Sequence, residues 1–149
     1  NRFKGLPHRQ EIVFSNKNML CINDSKATSF DACEQSLSHY DKIYWIVGGI
    51  PKHQDRFYLK KKKKNIVKAY IVGKNISFFK TKIKNIIPYT ASCTIRNAVN
   101  SIYNDIKLNK DSKVTILLSP AAASFDQFSN FENRGNHFKN LISKKFNRG

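Results

Sequence analysis

Short apolar runs, separated by glycine, proline and polar clusters, set the rhythm of this chain. Glu11 to Ser15 and Met19 to Asn23 flank Asn16-Lys17-Asn18 and predict a β-hairpin. Ile43 to Val47 is continuously apolar and stops at Gly48-Gly49, as a strand buried on both faces does before a glycine-permitted loop. Ile66 to Val72 repeats the theme and ends at Gly73, and Val114 to Leu118 ends at Ser119-Pro120. Ile86 to Tyr89 predicts one further short strand. Helices are predicted over Ser29 to Tyr40 beside capping residues Thr28 and Ser29, over Ile76 to Lys84, and from about Phe131 towards Lys145. The best-formed helical pattern is Thr94 to Ile106, where Ile95, Ala98, Val99, Ile102 and Ile106 recur on one face.

A strand, a glycine or proline loop and a helix thus recur about four times without an internal sequence repeat. The expected fold is α/β and Rossmann-like, a mostly parallel sheet flanked by helices with an N-terminal β-hairpin. In such sheets ligands sit outside the carboxyl ends of the strands. The corresponding loops are Asn23 to Thr28, Gly48 to Lys52, Gly73 to Asn75 and Ser119 to Asn130. Three of the four carry the small, polar and charged residues that a binding site needs.

Length and composition narrow the class. The 149 residues suit one domain with its own core, and no apolar run is long enough to span a membrane, so no membrane partner is expected. The chain opens on Asn1 without an initiator Met or an export signal, which suggests a piece of a longer protein. Cys21, Cys33 and Cys93 are widely spaced and do not cluster with histidines at metal-ligand spacing; reduced thiols in a cytoplasmic protein are expected. The 27 basic against 10 acidic residues give a net charge of +17, which raises nucleic acid as a partner. The excess is mostly lysine, spread along the sequence apart from Lys60 to Lys64, and that run has no interleaved aromatic residues. A solvated lysine-rich surface is the simpler expectation, and a basic nucleic-acid-binding module is the alternative.

Several chemistries lack their motifs. There is no phosphate loop of the GxxxxGK[ST] kind and no GxGxxG, and Gly48-Gly49-Ile50-Pro51-Lys52 lacks the closing hydroxyl residue. No GxSxG elbow surrounds Ser119 or Ser124, so neither reads as a hydrolase nucleophile. What remains is anion binding. Asn23-Asp24-Ser25-Lys26-Ala27-Thr28 places a carboxylate, an ammonium and two hydroxyls at a strand exit. The competing local reading is an Asx turn with a helix cap. Ser119 to Phe128 carries three consecutive alanines, which let a ligand or another backbone approach closely, and Ser124 lies near a predicted helix start. Phe125, Phe128 and Phe131 read as core or helix-packing residues.

Four blocks in order carry a resemblance: Gly5-Leu6-Pro7-His8-Arg9; Asn23 to Thr28; Gly48-Gly49 with Lys52; and Ser119 to Phe128 followed by Asn130-Phe131-Glu132 and Arg134-Gly135. Together they resemble the C-terminal, amino-acid-binding domain of the D-glutamate-adding Mur ligases, and the resemblance covers residues 1–149. It implies an ATP- and Mg2+-dependent ligase of peptidoglycan synthesis that joins D-glutamate to UDP-N-acetylmuramoyl-L-alanine through an acyl phosphate. The UDP-binding and ATP-binding domains would lie outside this chain. By the same resemblance Thr28 and Lys52 would hold one carboxylate of D-glutamate, and Ser124 with the Phe131 amide the other. Arg9, Asp24 and Lys26 would reach the nucleotide, with Asp24 at the ribose. A monomer, inactive without its other domains, is expected. Two departures stand out: Ile50-Pro51 replaces more polar residues, and Ala122 replaces a small cysteine.

Overall fold

The computed structural model describes residues 6–108 and 113–146; Gly5 of the first block lies outside them. Strands β1 (Glu11–Ser15), β2 (Met19–Asn23), β3 (Ile43–Val47), β4 (Ile66–Val72), β5 (Tyr89–Cys93) and β6 (Val114–Leu118) form one sheet in the order β1-β2-β6-β3-β4-β5. β1 pairs antiparallel with β2, and every other pairing is parallel. The helices are α1 (Phe30–His39), α2 (Ile76–Ile83), α3 (Ile95–Leu108) and α4 (Phe131–Phe146).

Alternation along β3 explains the two-sided core. Ile43, Trp45 and Val47 pack with Phe30, Cys33 and Leu37 of α1 and with Phe79 and Ile83 of α2. Tyr44 and Ile46 point the other way, with Ile95, Val99 and Ile102 of α3 and Phe138 and Ile142 of α4. A strand sandwiched between helices has no solvent face, so its sequence is apolar throughout. Trp45 is fully buried and donates its indole N–H to the Ser119 carbonyl at 2.8 Å, tying mid-β3 to the exit of β6.

The mostly parallel α/β architecture with its leading hairpin is as the pattern predicts. One strand is displaced: Ile86 to Tyr89 is not β5, which starts at Tyr89 and runs to Cys93. The Ile86 and Ile87 amides both bond back to the Ile83 carbonyl and close the end of α2. Ile87 is apolar because it packs into the core as a turn residue, and β5 looks polar because it pairs only with β4 at the sheet edge. Of the two candidate caps, Ser29 is the N-cap of α1 and accepts the Ala32 amide.

The chain order creates a switch point. The connection through α1 carries the chain from β2 past β6 to β3, and the connection through α3 returns it from β5 to β6. The exits of β2, β6 and β3 therefore lie side by side, between helices on opposite faces, where open α/β sheets bind ligands.

Candidate binding site at the strand exits

The β2 exit is built around Asp24. Its amide extends the ladder to the Leu118 carbonyl at 2.7 Å, which leaves the side chain only 4% exposed between β2, α1 and β6. Ser36 and Ser119 donate hydroxyl hydrogen bonds to Oδ2 at 2.7 and 2.8 Å, and the Gln10 amide donates to Oδ1 at 3.1 Å. Lys26 donates its amide to the His8 carbonyl at 2.9 Å, which folds the Pro7–Arg9 segment against the loop. Arg9, Gln10, Asp24, Lys26, Ala27, Ala32 and Gln35 then line one cleft of about 300 Å³. Two cations, a fixed carboxylate and two small residues make a pocket suited to a polyhydroxylated anion. Arg9, Asp24 and Lys26 are thus brought together.

Burial raises the Asp24 pKa above its ordinary 3.8, against the opposing pull of its hydrogen bonds from Ser36 and Ser119. Across the window from the ordinary value to the raised one, the folded chain keeps a proton that the unfolded chain has released. Stability therefore falls as pH rises through that window. His8 acts in the opposite sense: burial lowers its pKa, outweighing the raising effect of Glu11, so its contribution to stability grows as pH rises towards 6.5. Comparing wild type with Asp24→Asn isolates the first effect. The difference in urea midpoint should shift in the variant's favour as pH rises above the ordinary carboxyl value of about 4, and a constant difference would refute this account of Asp24.

Hydrogen bonds draw three further loops together. Gly48 donates its amide to the Pro120 carbonyl, and Ile50 and Ala123 exchange both backbone bonds at 2.9 Å. This bridge gives apolar Ile50 a structural place and brings the Lys52 loop beside Ser124. The Asp55 carboxylate accepts the Phe30 amide at 2.7 Å, and the Asp55 amide donates to the Lys52 carbonyl at 2.9 Å. The loop holding Lys52 is therefore pinned to the start of α1, two residues from Thr28. Asn75 donates to the Gly49 carbonyl at 3.0 Å, and Asp126 accepts the Lys74 amide at 2.9 Å, so the β4 exit joins the same assembly. Lys52 is exposed, Thr28 half-buried and Ser124 buried. Phe131 opens α4 closer to the other cluster: its carbonyl accepts the Ser25 hydroxyl at 2.7 Å, and Lys26 Nζ lies 5.1 Å from its ring centroid.

Phe125 departs from its expected core role. The Gln127 and Phe128 amides both turn back to the Ser124 carbonyl, and this turn leaves Phe125 68% exposed. Phe128 and Phe131 are half-buried.

Two structural supports had no assigned role. Arg134 is 2% exposed, and its guanidinium donates to the Ser25 hydroxyl at 2.9 Å, the Ser25 carbonyl at 2.6 Å and the Ala122 carbonyl at 2.9 Å. One side chain thus clamps the β2 exit to the alanine loop. Burial pulls its pKa down to about 10, which still leaves it charged at neutral pH. The available signal was its position one turn before Phe138 on the buried face of α4. Beside it, a Cβ at Gly135 would run into His8 Nδ1, so the missing side chain is what seats the histidine. The Asn23 amide nitrogen, which can only donate, lies 2.9 Å from His8 Nδ1, and this puts the ring proton on Nε2. The same Asn23 nitrogen donates to Glu11, whose other oxygen meets Lys139 at 2.9 Å.

Among the described residues no group of three or more His, Cys, Asp or Glu side chains could hold a metal ion, and no helix is long and apolar enough to cross a membrane. Cys21, Cys33 and Cys93 are free thiols.

No family model matches the chain. Curated relatives do. It is 42% identical over 141 residues to the UDP-N-acetylmuramoylalanine–D-glutamate ligase of Mesorhizobium japonicum, covering 95% of this chain and 30% of that protein. The ligase of the same name from Rhizobium meliloti is 40% identical over 136 residues, covering 91% of the chain and 29% of that protein. That of Wolbachia sp. subsp. Brugia malayi is 39% identical over 142 residues, covering 95% and 28%. The chain spans about a third of the length of these relatives, and over that stretch it is similar in sequence to UDP-N-acetylmuramoylalanine–D-glutamate ligases.

Proposed function

We propose that this chain is the amino-acid-binding domain of an ATP-dependent ligase that adds D-glutamate to UDP-N-acetylmuramoyl-L-alanine. In this reading ATP phosphorylates the carboxylate of the UDP-sugar substrate, and the amine of D-glutamate attacks the acyl phosphate. Domains outside the chain would hold the UDP-sugar, the triphosphate and Mg2+. This domain would contribute positioning and electrostatics. The observation that carries the proposal is the lacing of strand exits through Phe30–Asp55–Lys52 and Ile50–Ala123. It supports bringing Thr28, Lys52 and Ser124 to one site; there Thr28 with Lys52 would hold one carboxylate of a small diacid, and Ser124, with the Phe131 amide at the start of α4, would hold the other.

Arg9 and Lys26 would meet the nucleotide phosphates, and Asp24 would accept hydrogen bonds from the ribose. Ser36 and Ser119 support that role because they occupy Oδ2 and hold the carboxylate in one orientation. We also propose that the full protein works as a monomer in the cytoplasm.

The test is kinetic. In the complete ligase, Lys52→Ala should raise the Michaelis constant for D-glutamate by at least tenfold and that for ATP much less. The expected factor follows from one charge-assisted hydrogen bond, about 1.5–3 kcal/mol. Equal effects on both constants would remove Lys52 from the amino-acid site. The isolated chain should fold without ligating, and turnover by it alone would overturn the division of labour.

A further inference from the structure

Lysines scattered in sequence are gathered by the fold. In a parallel sheet every connection returns to the edge where strands begin, and here these returns carry the basic excess. Hydrogen bonds fix the order. The Val114 amide bonds to the Asn18 carbonyl, the Thr115 amide to the Lys42 carbonyl, and the Asn65 side chain to the Leu37 carbonyl at the end of α1. Lys17, Lys113, Lys42 and Lys64 therefore mark the starts of β2, β6, β3 and β4, which follow one another across the sheet. At a strand spacing of about 4.8 Å this makes a row on the order of 15 Å wide, broadened by exposed Lys60, Lys61 and Lys63. The acidic residues described at this edge are Asp41 and Asp105, and Asp105 is already ion-paired with Lys68 at 3.1 Å. Asp24, Asp126 and Glu132 lie at the opposite edge, with the proposed binding site.

Helix C-termini favour nearby cations, which accounts for Lys107 at the end of α3. It does not account for Lys17 in the hairpin turn or for the exposed lysines on the two short 3-10 turns Leu59–Lys61 and Lys63–Asn65. The same edge also holds Leu108, 86% exposed at the end of α3 beside Lys107. A broad row of ammonium groups with an exposed leucine combines the two signals of reversible attachment to a membrane surface: polybasic attraction and apolar insertion. Nucleic acid fits less well, because the row consists of lysines rather than arginines that could fork onto phosphates, and its densest run, Lys60 to Lys64, has no interleaved base-stacking ring.

We infer that the strand-starting edge docks the protein on an anionic lipid bilayer, with the substrate-binding edge facing away from it. The inference is independent of which ligands that opposite edge takes. The test uses this chain with phosphatidylcholine vesicles, either pure or containing roughly a third phosphatidylglycerol, at ~0.15 M salt. Association with the anionic vesicles should exceed that with neutral ones by at least tenfold and should fall steeply as salt is raised. The triple variant Lys17→Glu, Lys64→Glu, Lys113→Glu should abolish this preference, and Leu108→Ser should weaken anionic-vesicle binding several-fold. All four positions are exposed, and an unchanged urea midpoint checks that the variants fold. Equal binding to both vesicle types, or a triple variant that binds like wild type, overturns the inference. So does tighter binding to a DNA duplex at the same salt, or a Leu108→Ser variant that binds anionic vesicles like wild type.

Discussion

Replacing Arg134 with Ala should cost roughly 3–5 kcal/mol of stability, read as a lower urea midpoint at unchanged slope. The figure follows from what the guanidinium leaves behind. Three donors vanish at once, so the Ser25 carbonyl, the Ser25 hydroxyl and the Ala122 carbonyl lose them in a site with almost no access to water. Relief from burying a charge offsets part of this loss, which places the expectation below the simple sum of three charge-assisted bonds. Arg134→Lys should recover little, because an ammonium on a flexible stem cannot reach both loops in one plane. The structural loss should be accompanied by a functional one. Ser25 sits between Asp24 and Lys26, and Ala122 lies two residues before Ser124, so relaxing the clamp loosens both proposed pockets together. In the proposed full-length ligase the Michaelis constants for D-glutamate and ATP should both rise, unlike the split expected for Lys52→Ala. If Arg134→Ala unfolds within about 1 kcal/mol of wild type, the clamp is not what holds these loops.

That arginine also marks where reading from sequence stops. Apolar runs announced β3, β4 and β6 because a strand covered on both faces is hydrophobic at most positions, and the amphipathic period announced α3 because only one face of that helix is covered. β5 escaped because an edge strand is half solvated, while the apolar pair just before it, Ile86-Ile87, serves a turn. The partners of Arg134 are beyond local patterns altogether: Ser25 lies 109 residues away, and two of the three acceptors are backbone carbonyls, which every residue supplies. Phe125 misled for a related reason, since hydrophobic character says nothing about which way a tight turn points a ring. The loops at the strand ends were legible as a group because an α/β sheet offers few places for polar clusters to converge. How Asn23, Glu11 and His8 share one network was not, since it depends on the empty space above Gly135.

Gly48→Ala should be more damaging than any change at the proposed ligand-binding side chains, with a loss of about 4 kcal/mol or more and little folded protein at 37 °C. Gly48 has φ +134, a conformation that L residues rarely adopt, and a Cβ built there runs into the Val72 carbonyl oxygen while lying 2.9 Å from the Val72 carbonyl carbon and amide nitrogen. The obstacle is backbone, so no rotamer relieves it. Nor can β4 retreat, because it is paired on one side with β3 and on the other with β5. Moving residue 48 instead would break its bond to the Pro120 carbonyl and, two residues later, the exchange between Ile50 and Ala123. That exchange is the link between the loop carrying Lys52 and the loop carrying Ser124. A strained glycine at the sheet edge of the site is thus what allows two loops from separate strands to approach each other. Lys52→Ala supplies the comparison: exposed and four residues away, it should leave the unfolding midpoint within about 0.5 kcal/mol of wild type. A Gly48→Ala chain as stable as Lys52→Ala would mean that the β3 exit takes another path and that the two anion anchors do not share one site.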